Sequence, residues 1–162
     1  IADISDEGKR AEQAYAHHKR EFGRWDAALD AVGSGPRWLS QPTIAQLVTE
    51  CLHHRDGTSY ELFAYCIMPN HVHAVVQPLP DSEDHSPSLT SILQALKGYT
   101  AHEANRKLGR HGQFWQRESY DHWVRDDEEL VRIIRYVINN PVKAGLMDRW
   151  QDRPWIYCKH PP

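Results

Sequence analysis

Runs of apolar residues with helical or alternating spacing divide the middle of the chain into elements. A helix is predicted to start near Pro42, and a second is predicted over 88–108, because apolar residues recur there every three or four positions. Between them, 59–67 and 71–77 are rich in aromatic and β-branched residues, and both predict strands. The Met-Pro-Asn break at 68–70 makes these strands a hairpin.

The two ends of the chain are predicted to be helical as well. Residues 6–31 are polar and predict a helix or a pair of helices. Asp126 and Glu129 are typical of a capping pair that starts a last helix. The Asn-Asn-Pro sequence at 139–141 is expected to end it. The segment 113–123 is ambiguous, and an extended strand is favoured there.

The order helix, strand, strand, helix, strand, helix predicts an α+β fold, a ferredoxin-like antiparallel sheet with helices packed on it. Residues 1–162 are expected to form a single domain, since 162 residues suit one core and no repeat or linker divides them. No stretch approaches the ~20 apolar residues of a membrane span, and no secretory leader is recognised. Three unpatterned cysteines fit a reducing cytoplasm.

The distribution of charge along the chain is more informative about DNA binding than the net charge. A net charge of −3 argues against a protein that coats nucleic acid. However, 97–117 holds five basic residues against one acid, and 118–129 holds six acids against one arginine. Phosphate contacts and flat side chains for unpaired bases suit single-stranded DNA. The candidate DNA-binding residues are Lys97, Arg106, Lys107, Arg110, Trp115 and Arg117.

Two observations limit this candidate DNA-binding set. Charges on a long helix usually form only its solvated face. Lys97 and Arg106 lie nine residues apart, about half a circle around a helix, so they cannot form one stripe. The coherent cluster is therefore at the helix end, from Arg106 to Arg110.

The most informative pattern is His71-Val72-His73. Residues two apart on a strand point to the same face, so both imidazoles are expected to project together. Two neutral imidazoles side by side are a natural pair of ligands for a divalent metal. The alternative is two partly exposed histidines at the start of a strand.

Longer segments carry a resemblance to a known family. MPNHVHAVVQP resembles the HUH motif (histidine, bulky apolar residue, histidine) of single-tyrosine transposases. GPRWLSQPTIAQLV, SILQALKGYTAHEANRKLGRHGQFWQRESYDHWVRDDEEL and RYVINNPVKAGL resemble the REP-associated tyrosine transposase branch of that family. The agreement is ordered and covers about 35–155, which is far more specific than the histidine pair alone.

The resemblance implies a ferredoxin-like domain in which His71 and His73 bind Mg²⁺ or Mn²⁺. A tyrosine then attacks the DNA, leaving a 5′-phosphotyrosine and a free 3′-OH, and the expected partners are imperfect DNA hairpins and their single-stranded flanks. Relatives open with a strand before the first helix. Either that strand is missing here or the fold begins differently. Both a monomer and a homodimer remain open.

The same resemblance assigns the nucleophile to Tyr120, and Tyr99 is its closest competitor. Tyr60, Tyr65 and Tyr136 are interpreted as structural. Relatives place a glutamine one helical turn after the tyrosine, but Val124 stands at that position. If the segment is extended, Tyr120 and His122 share a face, so His122 is the first candidate for the third metal ligand. Gln116 and Asp121 are the alternatives.

Three functions are therefore weighed. The leading hypothesis is a metal-dependent single-stranded DNA strand transferase acting at hairpins. The second is a non-catalytic hairpin-binding module descended from such an enzyme, and the third is a metal-dependent phosphodiesterase that uses water. Only the first leaves a covalent bond between protein and DNA, which keeps the bond energy for rejoining.

Overall fold

The computed structural model describes residues 2–31, 35–81 and 85–161. Two short 3₁₀ turns, Trp38–Ser40 and Trp150–Asp152, accompany the main elements. In chain order these are α1 (Ala2–Ala31), α2 (Pro42–His54), β1 (Tyr60–Ile67), β2 (Val72–Pro78), α3 (Leu89–Leu108), α4 (Asp127–Lys143) and β3 (Ile156–Cys158). No strand precedes α1 among the described residues, which begin in the helix at Ala2. None of the helices in these ranges is long and apolar enough to cross a membrane.

The sheet has three antiparallel strands in the order β2-β1-β3. The predicted hairpin is confirmed, as is the α+β class. The strand predicted over 113–123 is wrong, because that segment is irregular and the third strand is β3 near the end of the chain. The backbone carbonyls of Gln116 and Glu118 accept hydrogen bonds from the Lys97 side chain instead of from a neighbouring strand.

The core lies on both faces of the sheet. One buried cluster joins β1 to α2 and α3, and the other joins β1 to α4. Successive residues of β1 face opposite sides of the sheet, so β1 contributes to both clusters, and its register with β2 shifts between Leu62 and Ala64. Cys66 belongs to the α4 cluster and lies opposite His73 in the hairpin. Directly opposed residues share a face of the sheet, so His73 lies on the side that α4 covers.

The start of α4 is as predicted, but its end is not. Asp126 Oδ1 accepts from the Glu129 backbone N–H at 2.8 Å, which is the expected cap. The helix then continues through Pro141 to Lys143. A proline inside a helix removes one backbone hydrogen bond, yet Asn140 and Pro141 are buried against the core. Packing therefore outweighs that cost and turns Asn140 into a helical residue.

Hydrogen bonds from described residues join the long helix α1 to the rest of the protein. The Tyr15 hydroxyl donates to the carboxylate of Glu129, at the start of α4. The Leu29 backbone carbonyl accepts from Asn70 Nδ2 at 3.0 Å, in the turn between β1 and β2. Both contacts adjoin the elements that carry the histidine pair.

Candidate metal centre

The two histidines of the HxH pattern meet at their Nε2 atoms. His71 Nε2 lies 3.0 Å from His73 Nε2, and the rings are 4.7 Å apart and nearly perpendicular, at 88°. The strand itself begins at Val72, so His71 stands just before it, in the turn. The imidazoles nevertheless project together, as the spacing of two predicted.

Asn70 fixes the hydrogen-bonding state of His71. Its Nδ2 donates to the Leu29 carbonyl, so its Oδ1 is left as an acceptor, 2.8 Å from His71 Nδ1. His71 Nδ1 must therefore carry the proton, which leaves a lone pair on Nε2. Metal-binding histidines are commonly oriented in this way by a partner on their other nitrogen.

Asn140 is a residue of the site that sequence reasoning missed. Its side chain is fully buried on α4, and its Nδ2 lies 3.2 Å from His73 Nε2. Its Oδ1 is buried and has no hydrogen-bond partner among the described residues. An unsatisfied buried carbonyl oxygen costs about 1–3 kcal/mol, so its persistence here calls for an explanation.

The three groups are also able to bind one cation. His71 Nε2 offers a lone pair, and His73 Nε2 must also offer one if it accepts from Asn140 Nδ2. Two lone pairs 3.0 Å apart repel unless a positive charge is shared between them. If His73 Nε2 is protonated instead, it faces the Asn140 N–H group. Rotation of the Asn140 amide by half a turn brings its oxygen to face the two histidines, and the three groups can then bind one divalent cation.

Tyr136 lies beside this group. Its ring centroid is 6.2 Å from that of His73, and it stands one helical turn before Asn140 on α4. Lys143 Nζ lies 5.3 Å from the centroid of the Tyr136 ring. A tyrosine four residues before an amide, in RYVINNP, is the sequence signal that could have identified both residues.

Tyr120 occupies a different environment. It is 38% exposed and belongs to the irregular segment between α3 and α4. The alternative ligands Gln116 and Asp121 are exposed in the same segment. The assignment of the nucleophile to Tyr120 stays a prediction, and Tyr136 becomes its competitor.

His122, the predicted third ligand, is tied to another cluster. Its Nε2 lies 3.2 Å from Glu129 Oε1 and 3.2 Å from the Tyr15 hydroxyl. Glu129 is buried and also accepts from the Arg125 backbone N–H at 3.0 Å. Within the described ranges, no three His, Cys, Asp or Glu side chains form a group able to hold a metal. His122 therefore does not complete the histidine pair, because its segment is irregular rather than extended.

Replacing His122 by alanine is expected to lower stability and leave metal binding unchanged. The change deprives the buried Glu129 carboxylate of a partner, which costs about 1–3 kcal/mol of unfolding free energy. Urea unfolding and calorimetric titration with Mn²⁺ measure the two effects. His111→Ala, at an exposed position, is the control and changes neither. Normal stability with Mn²⁺ affinity more than roughly tenfold weaker would restore His122 as a ligand.

Replacing Asn70 by alanine is expected to weaken Mn²⁺ binding by about 10–100-fold, the usual effect of removing a partner from a metal-binding histidine. The His71 ring then loses the acceptor that fixes its protonation and orientation. Calorimetry or paramagnetic resonance of free Mn²⁺ measures the affinity. Asn139→Ala, at an exposed asparagine of α4, provides the matched control. Unchanged affinity in folded Asn70→Ala would show that the Nδ1 contact has no such role.

Two of the cations predicted to bind DNA are engaged within the protein. Lys97 Nζ donates to the carbonyls of Gln116 at 2.9 Å and Glu118 at 3.1 Å, and burial lowers the pKa of this ammonium. The guanidinium of Arg106 pairs with Glu103 at 2.7 Å. The Lys97 contacts position the irregular segment, and Glu103 neutralises part of the charge of Arg106, whose side chain is still 66% exposed.

Arg110 and Trp115 are likewise used internally. Arg110 donates to the Asn105 side chain and lies 3.9 Å from the centroid of the Trp38 ring. Trp115 Nε1 donates to Thr100 Oγ1 at 2.8 Å. These contacts hold the segment after α3 against the helices. The remaining predicted DNA-binding residues, Lys107 and Arg117, are exposed.

Comparison with known proteins identifies a family and two relatives with informative names. The family model described as "Transposase IS200 like" matches residues 39–140. A Haemophilus influenzae protein named "Putative REP-associated tyrosine transposase" is 32% identical over 102 residues, 59% of this chain and 57% of the relative. The Escherichia coli K12 "REP-associated tyrosine transposase" is 25% identical over 96 residues, 59% of this chain and 53% of the relative. No solved structure matches.

The matches cover only part of each protein. The chain spans just over half the length of the curated relatives that it matches, 57% and 53% of the two named above. The family match begins at Leu39 and ends at Asn140, so it contains both histidines, Tyr120, Tyr136 and the buried amide.

Proposed function

This chain belongs to the family of IS200-like transposases, and we propose that it breaks and rejoins single-stranded DNA at hairpins through a tyrosine nucleophile and a divalent metal. The observation that best supports this proposal is the position of His71 Nε2, His73 Nε2 and the buried Asn140 amide. These groups lie together, and Tyr136 lies beside them. The names of the two relatives support the same reaction and suggest REP-type hairpins as its substrate.

His71, His73 and Asn140 would hold the metal. Two imidazole nitrogens and one amide oxygen form a donor set suited to Mn²⁺ or Mg²⁺, which also keep water or phosphate oxygens in their shells. When bound, the ion supplies positive charge that polarises the scissile phosphate. In this proposal Asn140 is the third ligand, in place of a residue at the Val124 position.

Tyr136 is the nucleophile that the geometry favours. Its hydroxyl oxygen gives up a proton and bonds to phosphorus, and the 3′-oxygen of the preceding nucleotide leaves and is protonated to a 3′-OH. A phenol has a pKa near 10, so it needs nearby positive charge to react at neutral pH. Lys143, 5.3 Å from the ring centroid, provides part of that charge. In the reverse reaction, a 3′-OH attacks the 5′-phosphotyrosine, which rejoins DNA without ATP.

The test uses hairpin oligonucleotides with randomised single-stranded flanks, incubated with protein and Mg²⁺ or Mn²⁺ and separated on a denaturing gel. A strand labelled at its 3′ end should migrate with the protein, and a strand labelled at its 5′ end should appear as a shorter free product. EDTA should abolish both signals. Cleavage without a protein-linked strand would indicate a phosphodiesterase that uses water. Tight binding without cleavage would indicate a non-catalytic module, and either result would overturn the proposal.

A further inference from the structure

One exposed side of α4 is basic over most of its length. Arg132, Arg135 and Lys143 are exposed there, and Asn139 stands between the last two. At about 100° per residue, these four positions fall within about 80° of the helix circumference. We call Arg132, Arg135 and Lys143 the α4 basic stripe.

The stripe differs from the cations that the sequence favoured. Lys97 and Arg106 are engaged with carbonyls and with a carboxylate, whereas no carboxylate in the described part of the chain forms an ion pair with any member of the stripe. Three uncompensated cations on one helix side stand out in a chain whose net charge is −3. Their local potential is positive where the average is negative, which favours a polyanion at this surface.

The stripe also leads to the candidate site. Tyr136 and Asn140 lie on the adjoining side of the same helix, and Lys143 Nζ approaches the Tyr136 ring at 5.3 Å from its centroid. A single rigid helix thus carries the cations, the candidate nucleophile and the candidate ligand. A strand of phosphates lying along the cations would pass directly beside the tyrosine.

We propose that the α4 basic stripe binds the phosphate backbone of single-stranded DNA and guides it to the metal centre, a role that rests on the proposed function. The eleven-residue step from Arg132 to Lys143 is about 16 Å long. This length is enough for the phosphates of more than one nucleotide to lie along the cations. Arginine suits the task because its planar guanidinium binds phosphate oxygens in pairs. The acidic first turn of α4, at Asp127 and Glu128, repels phosphate and bounds the path.

The test measures binding rather than chemistry. Fluorescence anisotropy with a labelled hairpin that carries a single-stranded flank, in EDTA, is recorded over a series of salt concentrations. Arg132→Gln/Arg135→Gln is expected to weaken binding at low salt by roughly tenfold or more. It should also reduce the slope of log K against log salt by about 1.4, or 0.7 for each lost phosphate contact. Lys143 is left unchanged because it contacts Tyr136.

Two further double variants make the result specific. Lys9→Gln/Arg20→Gln removes the same charge from exposed positions of α1 and should change affinity by no more than about twofold, with an unchanged slope. Lys107→Gln/Arg117→Gln tests the surface that the sequence favoured. If this pair lowers the salt slope and Arg132→Gln/Arg135→Gln does not, the stripe is not the phosphate-binding surface. Circular dichroism and Mn²⁺ affinity establish that each variant is folded.

The outcomes separate this inference from the proposed function. If Arg132→Gln/Arg135→Gln reduces the salt slope as expected, but the wild-type protein forms no covalent adduct, the strand-transfer reaction is overturned and the stripe is supported. Wild-type protein that forms the adduct, with a slope unaffected by Arg132→Gln/Arg135→Gln, would overturn the stripe alone.

Discussion

The Tyr136→Phe variant is expected to form the covalent protein–DNA adduct at less than roughly one thousandth of the wild-type rate, as is usual when a nucleophile is removed. Only the hydroxyl is lost, so the ring remains packed against His73 and the fold is preserved. Mn²⁺ affinity and DNA affinity should stay close to those of the wild type. Single-turnover formation of the adduct on a 3′-labelled hairpin measures the effect.

Tyr120→Phe is the matched comparison, because it removes the same hydroxyl from the tyrosine that the sequence favoured. It should form the adduct at a rate near that of the wild type. Tyr99→Phe, at a tyrosine that is 55% exposed on α3, controls for the loss of a surface hydroxyl. If Tyr120→Phe loses the adduct and Tyr136→Phe keeps it, the sequence-based assignment is right and Tyr136 serves only in packing.

Asn140→Leu is expected to weaken Mn²⁺ binding by at least about 100-fold, since outer-shell partners of metal ligands already change affinity 10–100-fold. The same variant should be as stable as the wild type in EDTA, or more stable. Leucine fills the buried space and removes an amide oxygen that lacks a hydrogen-bond partner. Calorimetric titration and thermal unfolding in EDTA measure the two quantities.

A metal ligand at position 140 is distinguished from a packing residue by the two changes together: Mn²⁺ affinity falls, while stability in EDTA is kept or increased. Asn139→Leu, at the neighbouring exposed asparagine, should leave the affinity unchanged. Wild-type Mn²⁺ affinity in Asn140→Leu would exclude the amide from the metal site. A large loss of stability would assign it a structural role instead.

Local patterns predicted the elements that are built locally. The hairpin follows from two apolar runs and a Met-Pro-Asn turn, and the cap at Asp126 follows from a carboxylate three residues before the Glu129 N–H group from which it accepts. The histidine pair belongs to this class, because the spacing of two aligns the rings. By contrast, β3 has only three residues and depends on pairing with β1, so no periodicity marks it.

Asn140 was not predicted from the sequence for a different reason. Asn-Pro is a strong local signal for the end of a helix, and it made Asn140 look like a terminal residue. In the folded protein, Ile138 and Pro141 are buried with the α4 cluster and the core, and this packing carries the helix past the proline. The prediction for the segment around His122 was wrong for a related reason. His122 contacts Glu129 and also Tyr15 on α1, which is 107 residues away in sequence.

The hydrogen bond between Asn70 and α1 affects how natural and engineered variants of this protein should be compared. The acceptor is the main-chain carbonyl of Leu29, so almost any amino acid at that position supplies it equally well. Alignment columns for α1 can therefore vary freely while the orientation of His71 is maintained. A proline, a deletion or a truncation that moves the backbone there would impair metal binding from a position that no comparison of side chains would flag.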